Sequence, residues 1–362
     1  LQAATGYNRG ISNSIKTGNP SVQKATVHKA TDARLGRIVR LLMSHATVVV
    51  SGTKIAEEIG TSRSEVWRLM QQLRGLGVDA AGHPATGYQL RSVPDLLLPE
   101  MLAPGLRGTI FGAGAGSGKQ LHHYYKIGST NSEAMRSAGE GAPEGSVFLA
   151  EEQLAGRGRG SHAWHSARSA GIYCSVVLRP AMPPSEALIL SLAAGLAVQA
   201  AVREVAPQLS VDLKWPNDLL LNGKKFCGIL TEMNAEATRV RHLVVGIGIN
   251  VNQVKFPGEL RDVATSLRMV TGTEWSRVEL CTALLKSLDR EYRSLVEDAG
   301  AREEILRRFE ESSSMVRGRK VSVEEQTGLT GVTEGLDGRG FLQVRTTEGL
   351  RTVVSGTVRT AM

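Results

Sequence analysis

The segment from Gln153 to Trp164 concentrates residue types that handle an anion. Gly156, Gly158 and Gly160 alternate with Arg157 and Arg159, and Trp164 follows. Alternating glycine denies the segment regular helix or strand stability and lets backbone N–H groups approach a ligand. Guanidiniums in such a setting suit bidentate contacts with phosphate or carboxylate oxygens, and an indole offers a flat face to a base. The segment reads as a mobile loop that closes over a nucleotide-like anion, against the blander alternative of a solvated basic loop. Strand-like runs on both sides favour the first. Two further clusters can share its pocket. Lys214, Asn217 and Asp218 stand at the bend Lys214-Trp215-Pro216-Asn217-Asp218, with Lys225 just beyond, and Gly246, Gly248 and Asn250 lie in a buried run. Two lysines and two arginines with one nearby acid suit developing negative charge on a phosphate. Asp218 is a candidate to hold Mg2+, orient a lysine or take a proton, against a plain surface ion pair with Lys214 or Lys225.

Other chemistries fit less well. Gly112 to Lys119 looks like a phosphate loop, but Ala113 stands where its first glycine belongs, and Gln120 where a Mg2+-binding hydroxyl is required. Gly246-Ile247-Gly248 is not a dinucleotide fingerprint, because Val251 takes the last glycine position. His162 and His165 fall on an irregular loop, His122 and His123 point to opposite faces of a strand, and no carboxylate completes a cluster. No protein-held metal site is expected. A Gly-x-Ser-x-Gly nucleophile turn is missing.

The elements that must position these residues follow from periodicity. Leu121 to Lys126 and Gly145 to Glu151 read as strands, with Ser129-Thr130-Asn131 opening a helix between them; Ser129 is either its N-cap or a ligand hydroxyl. Gly171 to Arg179, Lys224 to Glu232 and Arg241 to Asn252 read as further strands, the second returned by the Asn222-Gly223 hairpin signal. Pro216 in a strand-like run marks an edge, a bulge or a sharp bend. Ala187 to Ala206 is an apolar helix that reads as buried, since Ser191, Gln199, Arg203 and Glu204 interrupt it. Helices over Ser276–Asp298 and Ala301–Ser312 precede a tail of short strands from Gly318, which fits a small barrel.

Upstream, Asp32 to Leu90 forms its own unit. Ser51 and Ser62 can cap two short helices joined through Gly60, and Val66, Met70 and Leu73 form the buried face of the second. That second helix also carries Arg63, Ser64 and Arg68, and Val78 to Leu90 suggests a two-stranded wing. This is the winged helix-turn-helix pattern of DNA-binding modules, favoured over a bundle for protein contact. Trp67 and Met70 are expected in packing rather than base readout.

At 362 residues, with 41% hydrophobic and 22% charged residues, two or three globular domains are expected and no membrane segment. A net charge of +8 makes an anionic partner plausible. Cys174, Cys227 and Cys281, odd in number and far apart, give no disulfide framework and fit a reducing cytoplasm. The expected divisions are a basic disordered arm at 1–31, the DNA-binding unit at 32–91, a linker at 92–120, a central domain at 121–313 and a C-terminal barrel at 314–362.

Taken together, Gly156-Arg157-Gly158-Arg159 with Trp164, Lys214-Trp215-Pro216-Asn217-Asp218, Lys225 before Gly228-Ile229-Leu230, and Gly246-x-Gly248-Ile249-Asn250 resemble the biotin–protein ligase family. The N-terminal unit, with Ser51-Gly52, Gly60, Ser62-Arg63 and Gln72-Leu73-Arg74, resembles the family's bifunctional ligase/repressor branch. The resemblance implies an α+β fold: a winged helix-turn-helix, a mixed-sheet class II synthetase-like domain and an SH3-like barrel. It implies ATP-dependent formation of biotinyl-5′-AMP, with Mg2+, and transfer of biotin to a lysine of the biotin carboxyl carrier protein of acetyl-CoA carboxylase. It assigns Ser129, Thr130, Asn131, Gln153, Gly156, Arg157, Lys225 and Gly228 to biotin. It assigns Arg157, Gly158, Arg159, Trp164, Asn217 and Asn250 to ATP and the adenylate. Arg157, Arg159, Lys214, Asp218 and Lys225 are implied in catalysis, and Ser62, Arg63, Ser64 and Arg68 in contact with operator DNA. A homodimer is also implied. The chain departs from the family at Ser161 and His162, where glycine and a basic residue are usual. A lipoate- or octanoate-transferring enzyme of related fold is the alternative, and its Arg-Arg…Gly-Gly-Gly…His-Asp pattern is missing; a biotin-sensing repressor without ligase activity would be expected to have lost Arg157, Arg159, Lys214 or Lys225, all of which are present.

Overall fold

The computed structural model describes residues 33–83, 86–112, 120–160, 162–324 and 329–361. The expected arm at 1–31, most of the glycine-rich segment near Lys119, Pro84 and Ser161 lie outside the described residues. Helix α1 spans 33–44. Helix α2 (Gly52–Ile59) begins at Ser51, whose side chain accepts from the Lys54 N–H, and stops at Gly60 in the left-handed region, φ 65°. Helix α3 (Arg63–Gly75) is capped by Ser62 in the same way through Glu65. Strands β1 (Ala80–His83) and β2 (Gly87–Leu90) pair as an antiparallel hairpin, and Val50 bridges Tyr88. Leu35, Ile38, Leu42, Ile55, Val66, Met70 and Leu73 close the core of this unit. Trp67 does not join it: the indole is 59% exposed. Helical spacing explains the correction, since Val66, Met70 and Leu73 already fill the inward face and Trp67 falls on the outward one.

The segment after β2 is no loose linker where it is described. Leu96, Leu97 and Leu98 are all buried, helix α4 (Pro99–Leu102) follows, and Leu102, Leu106 and Phe111 enter the main core. Leu96 and Leu98 pack with the N-terminal unit and Leu97 with the central one, an alternation that an extended backbone imposes.

The central unit is a seven-stranded mixed sheet in the order β3-β4-β5-β9-β8-β7-β6. It comprises β3 (Leu121–Tyr124), β4 (Val147–Ala150), β5 (Gly171–Leu178), β6 (Asp212–Lys214), β7 (Asp218–Leu221), β8 (Lys224–Ala235) and β9 (Val240–Asn250). Only β3 and β4 run parallel, joined by helix α5 (Thr130–Gly139). Helices α6 (Leu188–Val205), α8 (Arg277–Glu297) and α9 (Ala301–Glu311) pack against the sheet and one another; the short α7 (Leu267–Thr271) carries no clear signal in the sequence. By length and composition α6, with the single turn before it, is apolar enough to cross a membrane, but it is largely buried inside the fold. The bend around Pro216 joins β6 to β7 at the sheet edge, and the Trp215–Pro216 peptide is cis.

The tail forms a five-stranded antiparallel sheet, β13-β12-β11-β10-β14, from β10 (Arg317–Val323), β11 (Thr330–Leu336), β12 (Leu342–Thr346), β13 (Gly349–Val353) and β14 (Val358–Thr360). It shares the central core through Val321, Leu342 and Val344. Trp215, buried, donates its Nε1–H to the Gly340 carbonyl at 2.9 Å and anchors this sheet beside the bend.

Candidate active site

A cavity of about 390 Å³ opens over the β5–β9–β8 part of the sheet. Its walls come from the start of α5, the glycine-arginine loop and the bend before β7. The loop is a tight hairpin rather than an irregular flap. Gly158 N–H donates to the His162 carbonyl and Trp164 N–H to the Gly156 carbonyl, both at 2.8 Å. Gly156 is required by close approach, because a Cβ there would stand 2.5 Å from the Trp164 carbonyl oxygen.

The glycines of β8 and β9 have the same explanation from the other side. The Trp164 indole lies on them: a Cβ at Gly248 would be 2.5 Å from the ring and one at Gly228 2.8 Å. The close approach that these glycines allow is made by the protein's own indole. Its ring also stands beside Lys225, whose Nζ is 5.5 Å from the ring centroid, and its Nε1–H has no partner among the described residues. Lys225 is held by Asp218 at 2.5 Å. Arg159 donates to Asn217 Oδ1 at 3.1 Å, and Asn217 Nδ2 donates to the Ile229 carbonyl. Lys225, Asp218 and Arg159 thus line one end of the cavity, where the sequence suggested two lysines and two arginines around one acid.

At the other end, Ser129 caps α5 by accepting from the Ser132 N–H, so both readings of that hydroxyl meet at one place: it is the cap and it lines the cavity. The Thr130 N–H donates to Gln153 Oε1 at 2.8 Å, and the Thr130 hydroxyl lies 3.1 Å from the same oxygen. Gln153 Nε2 donates to Ser166 Oγ at 2.9 Å. Ser175 Oγ, in the middle of β5, is 2.8 Å from both Thr130 Oγ1 and Asn131 Oδ1. Arg157 reaches out of the loop to Glu232 at 2.7 Å.

Three expected residues stand outside the cavity lining, and Gly156, packed against the Trp164 carbonyl, is the first of them. Lys214 is the Cα partner of Asp218 across β6 and β7 but does not line it. Asn250 is buried with its amide committed: Nδ2 donates to the Thr265 carbonyl and Oδ1 accepts from Gln253. His162 lines the cavity. Ser166, Ser175 and Glu232 escaped the sequence reading, because isolated serines and a strand glutamate carry no local signal.

Neither did the ionic group beneath the loop. Glu151, fully buried two residues before Gln153, meets Arg277 at 2.7 Å, His123 Nε2 at 3.1 Å and the Leu97 N–H at 2.9 Å. Burial alone would raise its pKa; the Arg277 charge, His123 and the Leu97 N–H overcome this and bring it down to about 2. Arg277, itself buried, also pairs with Asp95 at 3.1 Å. These partners lie 126 and 182 residues from Arg277 in the chain, beyond any local pattern.

In the N-terminal unit, Arg68 is chelated by Glu65 at 2.8 and 2.6 Å, and Ser62 is spent on its capping bond and on Ser64, 2.9 Å away. Arg63, Ser64, Trp67, Arg74, His83 and Tyr88 line a groove between α3 and the hairpin, and no carboxylate lines it.

Known proteins match this architecture part by part. The pattern of the biotin/lipoate A/B protein ligase family covers residues 127–250, that of an HTH domain 34–89, and that of a biotin protein ligase C-terminal domain 317–359. The bifunctional ligase/repressor BirA of Bacillus spizizenii is 35% identical over 324 residues, covering 89% of this chain and 97% of that protein. The protein of the same name from Escherichia coli is 30% identical, covering 81% and 87%. The structure of biotin protein ligase from Aquifex aeolicus in complex with biotin and ATP superposes with a TM-score of 0.58 and 31% identity, over 67% of this chain and all of that one. With its DNA-binding module, ligase sheet and C-terminal sheet all matched in order, the chain belongs to the bifunctional biotin–protein ligase/repressor family.

Proposed function

We propose that the protein joins biotin to ATP, giving biotinyl-5′-AMP and pyrophosphate, and then passes the biotinyl group to a lysine of the biotin carboxyl carrier protein of acetyl-CoA carboxylase, releasing AMP. One observation carries this reading. A single cavity has a hydrogen-bonding end at Thr130, Gln153 and Ser175, and a cationic end at Lys225 and Arg159 under the Trp164 hairpin. Ser129, Thr130, Asn131 and Gln153 take the ureido ring, while Gly156 and Gly228 leave room for ligand and loop. The biotin carboxylate attacks the α-phosphorus as pyrophosphate leaves. Lys225, steadied by Asp218, meets the charge that builds on the phosphoryl oxygens, where a preorganised cation is most effective. Arg157, Gly158, Arg159 and Trp164 close over the mixed anhydride and keep water from it. Asn217 holds Arg159, and Lys214 and Asn250 support the bend and the sheet from behind. Mg2+ supplies charge neutralisation when bound with ATP. Asp218, a carboxylate lining the cavity, would be the protein group to hold it there.

The N-terminal unit binds operator DNA through α3 and the hairpin; the carboxylate-free groove at Arg63 supports this. A homodimer is part of the same proposal. The domain boundaries are 32–91, 121–313 and 314–362, the last an SH3-like barrel, and the buried free thiols suit the cytoplasm. Biotin- and ATP-dependent labelling of a carrier-protein fragment tests the ligase. Failure to label a fragment that a known ligase labels would sink this reading. A gel-shift titration with and without biotinyl-AMP tests the repressor.

A further inference from the structure

Behind the cavity wall stands a carboxylate that this function has not used. Glu232, on β8, accepts from Arg157 Nη2 at 2.7 Å and Nη1 at 3.2 Å, and from Asn131 Nδ2 at 2.8 Å. It thus joins three elements: the sheet, the start of α5 and the glycine-arginine hairpin. An ionised carboxylate only accepts, so it fixes which way the Asn131 amide is turned. The amide nitrogen faces Glu232, and Oδ1 faces Ser175 and Gly246, where a Cβ would be only 2.0 Å from it.

The remaining protons can then be counted. Ser175 Oγ makes two contacts of 2.8 Å, to Asn131 Oδ1 and to Thr130 Oγ1. Each contact needs one proton. Asn131 Oδ1 has none to give, so the Ser175 hydroxyl must donate to it. The contact between the two hydroxyls then takes the Thr130 proton. Gln153 Oε1 remains satisfied by the Thr130 N–H at 2.8 Å. In this arrangement every contact under 3 Å in the chain is filled, and the hydroxyls present lone pairs to the cavity. Turning the Asn131 amide over would reverse the chain, pass the Thr130 proton to Gln153 Oε1 at 3.1 Å and use up acceptor sites that a ligand N–H would otherwise meet.

We propose that Glu232 is a positioning residue that sets the hydrogen-bond polarity of the cavity floor, making it an acceptor surface for the N–H groups of a cyclic urea, and that ties the loop to that floor through Arg157. The inference rests on the biotin reading above and names what makes that end of the cavity selective.

The test is biotin binding by titration calorimetry on the full chain. Glu232→Lys puts a donor where the acceptor stands and forces the Asn131 amide over. A buried polar group facing the wrong partner costs on the order of 10- to 100-fold in affinity, so biotin affinity should fall about 30-fold or more while ATP affinity stays within about threefold. Adding Asn131→Asp gives the introduced ammonium group an anionic partner and restores an acceptor to Ser175, so the double variant should recover to within about fivefold of the parent. Arg157→Ala removes the tie and the loop's own guanidinium but leaves the Asn131 amide fixed, so it should lose less biotin affinity than Glu232→Lys. Should Glu232→Lys fold poorly, Glu232→Ala, which leaves Asn131 Nδ2 only the long contact of 3.4 Å to the Leu230 carbonyl, is expected to weaken biotin about tenfold. An unchanged affinity in Glu232→Ala or Glu232→Lys, or no recovery in the double variant, overturns the proposal. A parent protein that fails to bind biotin overturns the ligase reading instead.

Discussion

Replacing Arg277 with methionine should destabilise the fold by an amount that depends on pH. Arg277 is 1% exposed and its Glu151 partner not at all, so the substitution leaves a carboxylate in the core with only His123 and the Leu97 N–H. The fall of the Glu151 pKa from its ordinary 4.5 to about 2 corresponds to about 3 kcal/mol of native-state stabilisation. Breaking a buried pair from one side typically costs about 3–5 kcal/mol, which agrees. At roughly 2–4 °C per kcal/mol for units of this size, the thermal midpoint should drop by about 6–20 °C at pH 7. Because the folded pKa lies below the unfolded one, the Glu151 contribution is present above pH 4.5 and is lost as the pH falls through about 2. In the variant, burial raises the folded pKa instead, so the variant loses stability as the pH rises past 4.5. The gap between the two proteins therefore widens with rising pH. Denaturant melts from pH 4 to pH 8 measure it, and the double variant Arg277→Met, Glu151→Gln should regain most of the loss. A gap below about 1 kcal/mol at pH 7, or one of equal size at pH 4 and pH 7, would refute the reasoning. Because Glu151 leads into Gln153, the KM for biotin should rise in the single variant more than that for ATP.

Gly248→Ala puts a methyl 2.5 Å from the Trp164 ring, so the indole must move by about 1 Å; overpacking of this kind costs about 1–3 kcal/mol and should appear as a 5- to 100-fold loss in kcat/KM of adenylate formation, with wild-type kinetics counting against the seat described. Lys225→Ala removes the cation held by Asp218 and should slow pyrophosphate release by about 10²–10³, whereas an unaltered burst would remove Lys225 from the chemistry. Trp67→Ala leaves the core of its unit intact, so the melting midpoint should stay within about 1–2 °C while duplex affinity falls about tenfold; a lower midpoint with unchanged DNA binding would return Trp67 to packing.

Much of this site is legible in one chain because its residues announce themselves locally. Ser51, Ser62 and Gly60 punctuate helices at the positions expected of caps, and the strands that flank the glycine-arginine loop are near-continuous apolar runs. A glycine in a buried run such as Gly248 permits close approach, but the sequence does not tell that an indole from the loop makes it, there and at Gly228. Trp67 went the wrong way because a large aromatic residue is usually core, and the helix had already filled its inward face. Glu151, Arg277 and Glu232 were invisible for another reason. Their partners are brought together by sheet order, and a crossover such as β5 beside β9 leaves no periodic trace. Four of the C-terminal strands show in the sequence, whereas β14, which pairs with β10, is only three residues long and too short for alternation to show.

The leucine triplet at 96–98 bears on how such proteins can be taken apart or recombined. Successive side chains are dealt to two different cores, so the junction behaves as a stitch and not as a hinge. A shortened enzyme begun just after Leu90 would carry Leu96 and Leu98 as a greasy stub, and one begun after Leu98 would lose Leu97 together with the backbone donor to Glu151. Chimaeras that exchange the DNA-binding module should therefore carry this triplet's outer leucines with the module and preserve the middle one for the enzyme. Lineages that shed or acquire such a module face the same seam, and they would have to mend both cores at once.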